Sequence, residues 1–157
     1  MLLNHYKEML EKHLQGKIAT FLSESGSTYT FASLADQTQE ALLPMLLHQS
    51  AEIILGSDNT AETGSSYSLK SKIHSGINIG LSRSVVDNDD GSHSSIVVAN
   101  CTNTSSAPIT VGEIGMRKAV RYTSLTTQAV FDRTPLPTPL TIQPGEVGRI
   151  VYTITMA

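Results

Sequence analysis

The densest group of possible metal ligands in the sequence is the acidic stretch Asp87-Asn-Asp-Asp-Gly91. A calcium-binding EF-hand loop needs acidic residues at its first, third and fifth positions, a glycine at the sixth and a glutamate at the twelfth. Here the glycine is the fifth residue and the twelfth is Val98, inside a predicted strand, so the spacing argues against an EF-hand. Two interpretations stay open: a simpler calcium-binding loop, and the solvated turn of a β-hairpin, which the composition favours.

Glu113 is the second candidate, because it is a carboxylate within the largely apolar stretch 109–116. A buried carboxylate needs a paired cation, which Arg117, Arg121 or Arg133 could supply. The alternative is an outward-facing position at a β-bulge. Catalysis by a carboxylate needs a second acid or base, and the sequence indicates none for Glu113.

The motifs of common enzyme classes are missing. The sequence has no Gly-x-Ser-x-Gly, no Walker loop, no His-Glu-x-x-His and no Cys-x-x-Cys, and its five histidines lack metal-ligand spacing. The single cysteine, Cys101, is expected to be a small apolar residue of the core, with a reactive thiol as the alternative. We therefore expect no enzyme activity, no cofactor and no metal centre.

The composition argues against several classes of partner. A net charge of −3 does not provide the basic face of a general nucleic-acid-binding protein, and a chain without Trp offers few platforms for base stacking. No apolar run approaches the roughly 18 residues of a membrane span, and the N-terminal residues do not resemble a secretory signal. The 157-residue chain is expected to be soluble, made in a cytoplasm, and to bind neither nucleic acid nor membrane.

Residues 1–50 are predicted to form a helical or extended N-terminal arm. Over residues 2–15 the apolar side chains recur at helical spacing, and a second, weaker helical pattern covers 32–43. A helix of this length is marginal alone, so its apolar stripe must dock on its own domain or on a neighbouring subunit. The candidate partner-binding residues in this stripe are Leu3, Tyr6, Leu10 and Leu14.

Residues 51–157 are predicted to form an antiparallel β-sandwich or jelly-roll-like domain. About eight strands follow one another at roughly 8–12-residue spacing, which is typical of two packed sheets. Three prolines at 135, 137 and 139 are expected to break a strand ladder and to carry the chain, extended, from one sheet to the other. Pro144-Gly145 predicts a type II turn. Alternating apolar residues predict a core between the two sheets made of Ile109, Val111, Ile114, Ile150, Tyr152 and Ile154.

Three segments carry a resemblance to a known group of proteins. They are Asn103-Thr-Ser-Ser-Ala-Pro-Ile-Thr-Val-Gly-Glu-Ile-Gly-Met116, Val130-Phe-Asp-Arg-Thr-Pro-Leu136 and Pro139-Leu-Thr-Ile-Gln-Pro-Gly-Glu146 with the closing Val151-Tyr-Thr-Ile154. Together they resemble the C-terminal part of small structural proteins of tailed bacteriophages. The stretch 53–69, Ile-Ile-Leu-Gly-Ser-Asp-Asn-Thr…Tyr-Ser-Leu, resembles the glycine-rich middle of the same group.

The resemblance implies a virion component made of strands and turns, without catalytic residues. Its expected place is the capsid exterior, as an auxiliary or decoration protein that binds other virion proteins as a homo-oligomer or lattice-bound subunit. A neck or tail component is the alternative. A carbohydrate-binding module is a weaker hypothesis, since sugar sites favour exposed aromatic rings.

Overall fold

A computed structural model describes residues 19–31, 51–63, 65–122 and 125–156 of the chain. The described residues are built from β-strands, and every strand pair whose register is defined is antiparallel. The predicted class, mainly antiparallel β, is therefore confirmed. The strands are β1 Ala19–Leu22, β2 Thr28–Phe31, β3 Glu52–Gly56, β4 Ile77–Asp87, β5 His93–Asn103, β6 Ile109–Tyr122, β7 Leu125–Ile142 and β8 Val147–Met156.

The strands form three sheets, with the orders β1-β2, β3-β6-β7 and β4-β5-β8. The predicted helix over 2–15, its residues Leu3, Tyr6, Leu10 and Leu14, and the possible helix over 32–43 lie outside the described residues. Within the described part of the chain, no helix has the length and apolarity to cross a membrane.

The chain divides into two compact units. The described residues of unit 1 lie within Met1–Lys72 and Gly112–Pro139. Those of unit 2 lie within Ile73–Val111 and Leu140–Ala157. The division runs through the stretch 51–157, which the sequence predicts as one domain, and β6 and β7 each contribute residues to both units.

Unit 1 contains the sheet residues that pack around β3. Four of the five β3 residues are buried, and Ile54 packs with Leu69 and Val130 in a fully apolar cluster. Gly115 of β6 lies beneath this cluster, since a Cβ at that position would come within 2.8 Å of the Leu69 side chain. The cluster fixes the strands that carry the ionic residues described below.

Unit 2 contains the three-stranded sheet β4-β5-β8. Along the central strand β5, buried Val97, Ala99 and Cys101 alternate with Val98 and Asn100, which are half-buried and exposed. This period of two gives the central strand one buried, apolar face and one more exposed face. Ile142, at the end of β7, contributes to the covered side and contacts Gly148 of β8.

The predicted turn at Pro144-Gly145 is confirmed. The amide of Glu146 donates to the Gln143 carbonyl at 3.0 Å, and Gly145 has φ of 79°, the left-handed value that the third residue of a type II turn requires. This turn connects β7 to β8.

The prediction that three prolines break a ladder is wrong, because β7 runs as one strand of 18 residues through all of them. The chain is extended there, as predicted, and it passes from the residues of unit 1 to those of unit 2 directly after Pro139. β7 is an edge strand of its sheet, so one of its sides needs no hydrogen-bond donors. Successive backbone N–H groups of a strand point to alternate sides, and prolines at 135, 137 and 139 share one parity. Their missing N–H groups can all fall on the outer edge, where proline is tolerated. Because β6 and β7 are long, the described residues after 51 form six strands rather than about eight.

The predicted core residues have different environments. Val111, Ile114 and Ile150 are buried, at 0%, 6% and 7% exposure. Ile109 and Tyr152 are only half-buried, because Ile109 begins β6 and Tyr152 belongs to the edge strand β8. Ile154 lies in β8, and its side chain is outside the described part. Ile114 belongs to unit 1 and Val111 and Ile150 to unit 2.

Candidate functional site

Arg133 of β7 is the centre of a buried ionic cluster in unit 1. Its side chain is 0% exposed, and all three of its nitrogens donate hydrogen bonds. Nε binds Glu113 at 2.5 Å, Nη1 binds Glu62 at 2.9 Å, and Nη2 binds Asp58 at 3.3 Å. Both terminal nitrogens also donate to the carbonyl of Thr60 at 3.2 Å. We call these groups the Arg133 cluster.

Glu113 has the buried position, which was one of the two alternatives that the sequence left open. Its side chain is 0% exposed, one carboxylate oxygen binds Arg133, and the other accepts the backbone N–H of Ser71 at 2.8 Å. Arg117 binds other acids, and the side chain of Arg121 is outside the described ones. Glu113 thus ties β6 to β7 and to the stretch that precedes β4.

Two glycines make room for the cluster. Gly56 ends β3 directly opposite Glu113, and a Cβ there would lie 2.3 Å from a Glu113 carboxylate oxygen. Gly112 meets the chain after β3 in the same way, because its Cβ would lie 2.4 Å from the carbonyl oxygen of Ser57. Gly56 thus makes room for the side chain of Glu113, and Gly112 makes room for the backbone of Ser57. Only glycine permits such close approach.

The loop after β3 is shaped by an aspartate turn. Asp58 accepts hydrogen bonds from the backbone N–H of Thr60 at 2.8 Å and from its hydroxyl at 2.6 Å. This Asx turn directs the Thr60 carbonyl towards Arg133. The Thr60 hydroxyl and amide, with smaller contributions from Lys70 and Arg133, lower the pKa of Asp58 and keep it ionised.

The electrostatics of the cluster favour a permanently charged arginine. Burial opposes the charge of Arg133, but its hydrogen bonds to Glu62 and Glu113 outweigh that cost and raise its pKa. The side chains of Glu62 and Glu113 are only 3% and 0% exposed. The arrangement holds three chain segments together by ion pairs, and solvent does not reach Glu113.

A second ionic group attaches the β1–β2 hairpin to the sheet of unit 1. Glu24, in the turn between β1 and β2, binds Lys72 at 2.5 Å and Arg117 at 3.0 Å, and Arg117 also binds Glu52 at 2.8 Å. Burial disfavours the charge of Glu24, but the bonds from Lys72 and Arg117 prevail and lower its pKa from the ordinary 4.5. The Glu24 amide adds a bond to the Gln128 carbonyl at 2.7 Å.

Asn103, at the end of β5, connects the loops of unit 2. It is 1% exposed, and its amide group donates to the carbonyls of Ala107 and Ile142, both at 2.8 Å. Its side-chain oxygen accepts from the backbone N–H and the hydroxyl of Ser105, at 2.9 and 2.7 Å. With two donors and two acceptor positions all used, Asn103 fixes the 104–107 turn against the end of β7.

The sequence reasoning missed Asp58, Glu62 and Asn103, although a short pattern marks two of them. The pattern is Asp or Asn followed two residues later by Ser or Thr. It forms the same side-chain turn at 58–60, 90–92 and 103–105. No comparable local signal marks Glu62, whose partner is 71 positions away.

The acidic stretch from Asp87 to Gly91 forms the predicted hairpin turn between β4 and β5. Asn88 closes it through a 2.8 Å bond to the Ser92 carbonyl, and Gly91 has φ of 82°. Asp90 accepts both the amide and the hydroxyl of Ser92, which lowers its pKa. Across the described residues, no group of three or more His, Cys, Asp or Glu side chains could hold a metal ion.

Cys101 is a buried residue of β5, as the sequence predicts, with 0% exposure. Burial raises the pKa of its thiol, so the thiolate that a reactive cysteine requires is disfavoured. Cys101 therefore packs as a small apolar side chain.

The most exposed apolar residues of unit 2 lie on its edge strands. In β4 they are Leu81, Val85 and Val86, at 36%, 72% and 43% exposure, and in β8 they are Val147 and Val151, at 58% and 51%. Every β4 residue from Gly80 to Asp87 is exposed, whereas β8 has buried residues at Gly148 and Ile150. The exposed apolar residues do not form one patch, because Leu81 and Val85 share a sheet face with Ala99, whereas Val147 and Val151 share the other face with Val98.

Comparisons of the chain with protein-family models, with curated proteins and with solved structures gave no match.

Proposed function

We propose that this protein is a structural component of a tailed-phage virion that acts through protein–protein contacts. The observation that carries the proposal is that three of the stretches resembling tailed-phage structural proteins contact one another in the Arg133 cluster. The stretch 53–69 supplies Asp58 and Glu62, the stretch 103–116 supplies Glu113, and the stretch 130–136 supplies Arg133. Three of the stretches that carry the resemblance thus share a buried framework, as expected if the similarity is one of architecture, whereas Pro139–Glu146 and Val151–Ile154 contribute no residue to the cluster.

The distribution of polar groups supports a structural role over catalysis. The Arg133 cluster uses its ionised groups on one another, so its acids are not poised to transfer protons. The surface of the β4-β5-β8 sheet instead offers valines with serines and threonines, such as Val151, Thr153 and Ser82. Such a surface suits contacts with other proteins. The jelly-roll-like sandwich that the sequence predicts remains part of this proposal, and the antiparallel strand pairing supports it.

Within the virion, our preferred place is the capsid exterior, as an auxiliary or decoration protein. A neck or tail component is the second candidate, because the same framework suits either place. A carbohydrate-binding module is less favoured: the exposed aromatic ring of Tyr67 packs over Gly26, whereas sugar sites favour aromatic rings with a free face.

The predicted stripe Leu3, Tyr6, Leu10 and Leu14 is proposed to anchor the protein on a neighbouring virion subunit. Deleting residues 1–16 should then leave the β-rich far-UV signal and its cooperative melting intact, and should abolish binding to capsids. Loss of the β signal on deletion would assign this segment to the protein's own core.

Quantitative analysis of purified particles tests the function. A copy number comparable to that of the major capsid protein would indicate decoration, and a number equal to a single ring of subunits would indicate the neck or tail. Absence of the protein from purified particles, together with no binding to empty capsids, would refute the virion role.

A further inference from the structure

Strand β4 is an edge strand of its sheet among the described residues. It pairs with β5 along all eleven residues, from Ile77 opposite Asn103 to Asp87 opposite His93, without a bulge. It is the first strand in the order β4-β5-β8, so on its other side no described strand covers its alternate N–H and C=O groups. A long and regular edge of this kind is a template for pairing with another strand.

The usual protections against edge pairing are few in β4. Its sequence, Ile-Asn-Ile-Gly-Leu-Ser-Arg-Ser-Val-Val-Asp, has no proline and no lysine. Charged residues occur only at Arg83 and at the last position, Asp87. Ile77, Ile79, Leu81 and Val85 share one face of the strand, because they are separated by even numbers of residues. Leu81 and Val85 of this row are exposed.

We propose that β4 pairs with the β4 strand of a second copy of this protein, antiparallel and with Leu81 at a two-fold axis. The strand is complementary to itself in this register. Leu81 lies opposite its own copy, Ile77 lies opposite Val85, and Arg83 lies opposite Ile79. No residue faces a like charge, and the two copies form one six-stranded sheet. On the shared face the Leu81–Leu81 pair and the two Ile77–Val85 pairs are apolar, and only the two Ile79–Arg83 pairs join an apolar to a charged residue.

Other registers of the antiparallel β4–β4 pair place less compatible side chains opposite each other. Centring the pair on Arg83 places two arginines directly opposite each other, which is destabilising. Centring it on Ser82 places Leu81 opposite Arg83 and Ile77 opposite Asp87, each twice, so four pairs join an apolar to a charged residue, against two in the register centred on Leu81. A shift by one residue against the partner strand is excluded, since it would pair the apolar row of one copy with the polar face of the other.

Cysteine cross-linking tests both the partner and the register. Residues at the two-fold axis have Cα atoms about 4.5–5.5 Å apart, within disulfide range, so Leu81→Cys should form a cross-linked dimer rapidly under mild oxidation. The matched control is Val85→Cys, which is on the same face and more exposed. In the proposed register its two copies are eight residues apart along the strand, roughly 26 Å. Cys101 does not compete, because it is buried.

A second pair of variants tests the contact without cross-linking. Ser82→Lys places a lysine on the open edge, which is how natural sheets block pairing, and should raise the dimer dissociation constant at least about tenfold. Asn100→Lys places the same charge on the same face but on the central strand, and should leave the constant unchanged. A single strand pair is smaller than a standard interface of about 1,200–2,000 Å², so light scattering at micromolar concentrations is the appropriate measurement.

Three results would overturn the proposal: a monomeric protein at these concentrations, Val85→Cys cross-linking as fast as Leu81→Cys, or a greater effect of Asn100→Lys than of Ser82→Lys. A monomer that captures the strand of a different protein would also overturn it. The inference does not require the virion role, because these measurements use the isolated protein. Failure to bind capsids would leave β4 pairing standing.

Discussion

Replacing Arg133 by methionine should cost far more stability than replacing its nearest partner, Glu113, by glutamine. Methionine roughly preserves the apolar stem of arginine but donates no hydrogen bonds. It would leave the carboxylates of Glu113 and Glu62, which are 0% and 3% exposed, and the carbonyl of Thr60 without their present donor. Removing one partner of a buried ion pair costs about 3–5 kcal/mol. Because two buried carboxylates lose Arg133 together, we expect Arg133→Met to reach at least the upper end of that range.

Glu113→Gln should be milder. Glutamine has the same shape, so it fits across Gly56. Its amide oxygen can accept from only one of the two present donors, Arg133 Nε–H or Ser71 N–H, and its NH2 group then faces the other. Arg133 keeps Glu62 and Asp58 as counter-ions. The expected loss is that of weakening a charged hydrogen bond, about 1.5–3 kcal/mol. A total domain stability of about 5–15 kcal/mol makes both losses measurable by urea denaturation followed by circular dichroism.

The double variant Arg133→Met/Glu113→Gln measures the coupling free energy between the two side chains. When Arg133 is already absent, Glu113→Gln removes a stranded buried charge, so it should cost little or restore stability. The sum of the single losses should therefore exceed the loss in the double variant by about 0.5–3 kcal/mol. Arg149→Met, on an exposed residue of β8, is the control and should change stability by less than about 0.5 kcal/mol. Additive losses, or a neutral Arg133→Met, would refute the cluster as the connection between these segments.

Three further changes have defined outcomes. Asn103→Asp replaces two donors by an oxygen that faces two carbonyl groups and should cost more than about 3 kcal/mol in urea melts, whereas the exposed Asn100→Asp should be nearly neutral. Glu24→Gln should lower stability at neutral pH. Because the folded pKa of Glu24 lies below its ordinary 4.5, this difference should be complete above that pH and vanish as the pH falls through the folded value; a difference that persists in strong acid would exclude the ion pairs as its cause. Gly112→Ala drives a Cβ against a backbone carbonyl and should cost at least about 1–3 kcal/mol by thermal melting. Gly80→Ala, whose Cβ would meet only the Asn100 carbonyl oxygen at an ordinary 4.0 Å, should be tolerated; equal melting temperatures would contradict the packing.

The local features of the fold were predictable because their causes are local. Alternating apolar residues indicated β8, and Pro144-Gly145 indicated the turn between β7 and β8. The prolines of β7 were misread because their effect depends on whether the strand is central or at an edge. That position is set by the sheet order, which the residues near Pro135 and Pro139 do not encode.

The ionic residues were harder to assign for a related reason. Glu113 had three candidate arginines nearby in sequence, and the choice of Arg133 depends on the pairing of β3, β6 and β7. Arg117, four residues from Glu113, instead reaches Glu52 across the β3–β6 ladder and Glu24 of the hairpin. Sequence proximity favoured the wrong partner, because residues four apart in a strand lie about 13 Å apart.

The Arg133 cluster also specifies strand register, which an apolar core of equal volume would do less well. Glu113 lies across Gly56, and the chain after β3 lies against Gly112. A two-residue slip of β3 along β6, which keeps every side chain on its own face, would replace Gly56 opposite Glu113 by Ile54 or Asp58. The buried carboxylate would then meet an isoleucine side chain or a second carboxylate. A buried ion pair adds little net stability over apolar residues, so we expect discrimination against such slips to be what the cluster contributes. Replacing the whole cluster by apolar residues should accordingly preserve the melting temperature better than Arg133→Met alone, while broadening the amide spectrum of β3 through alternative pairings.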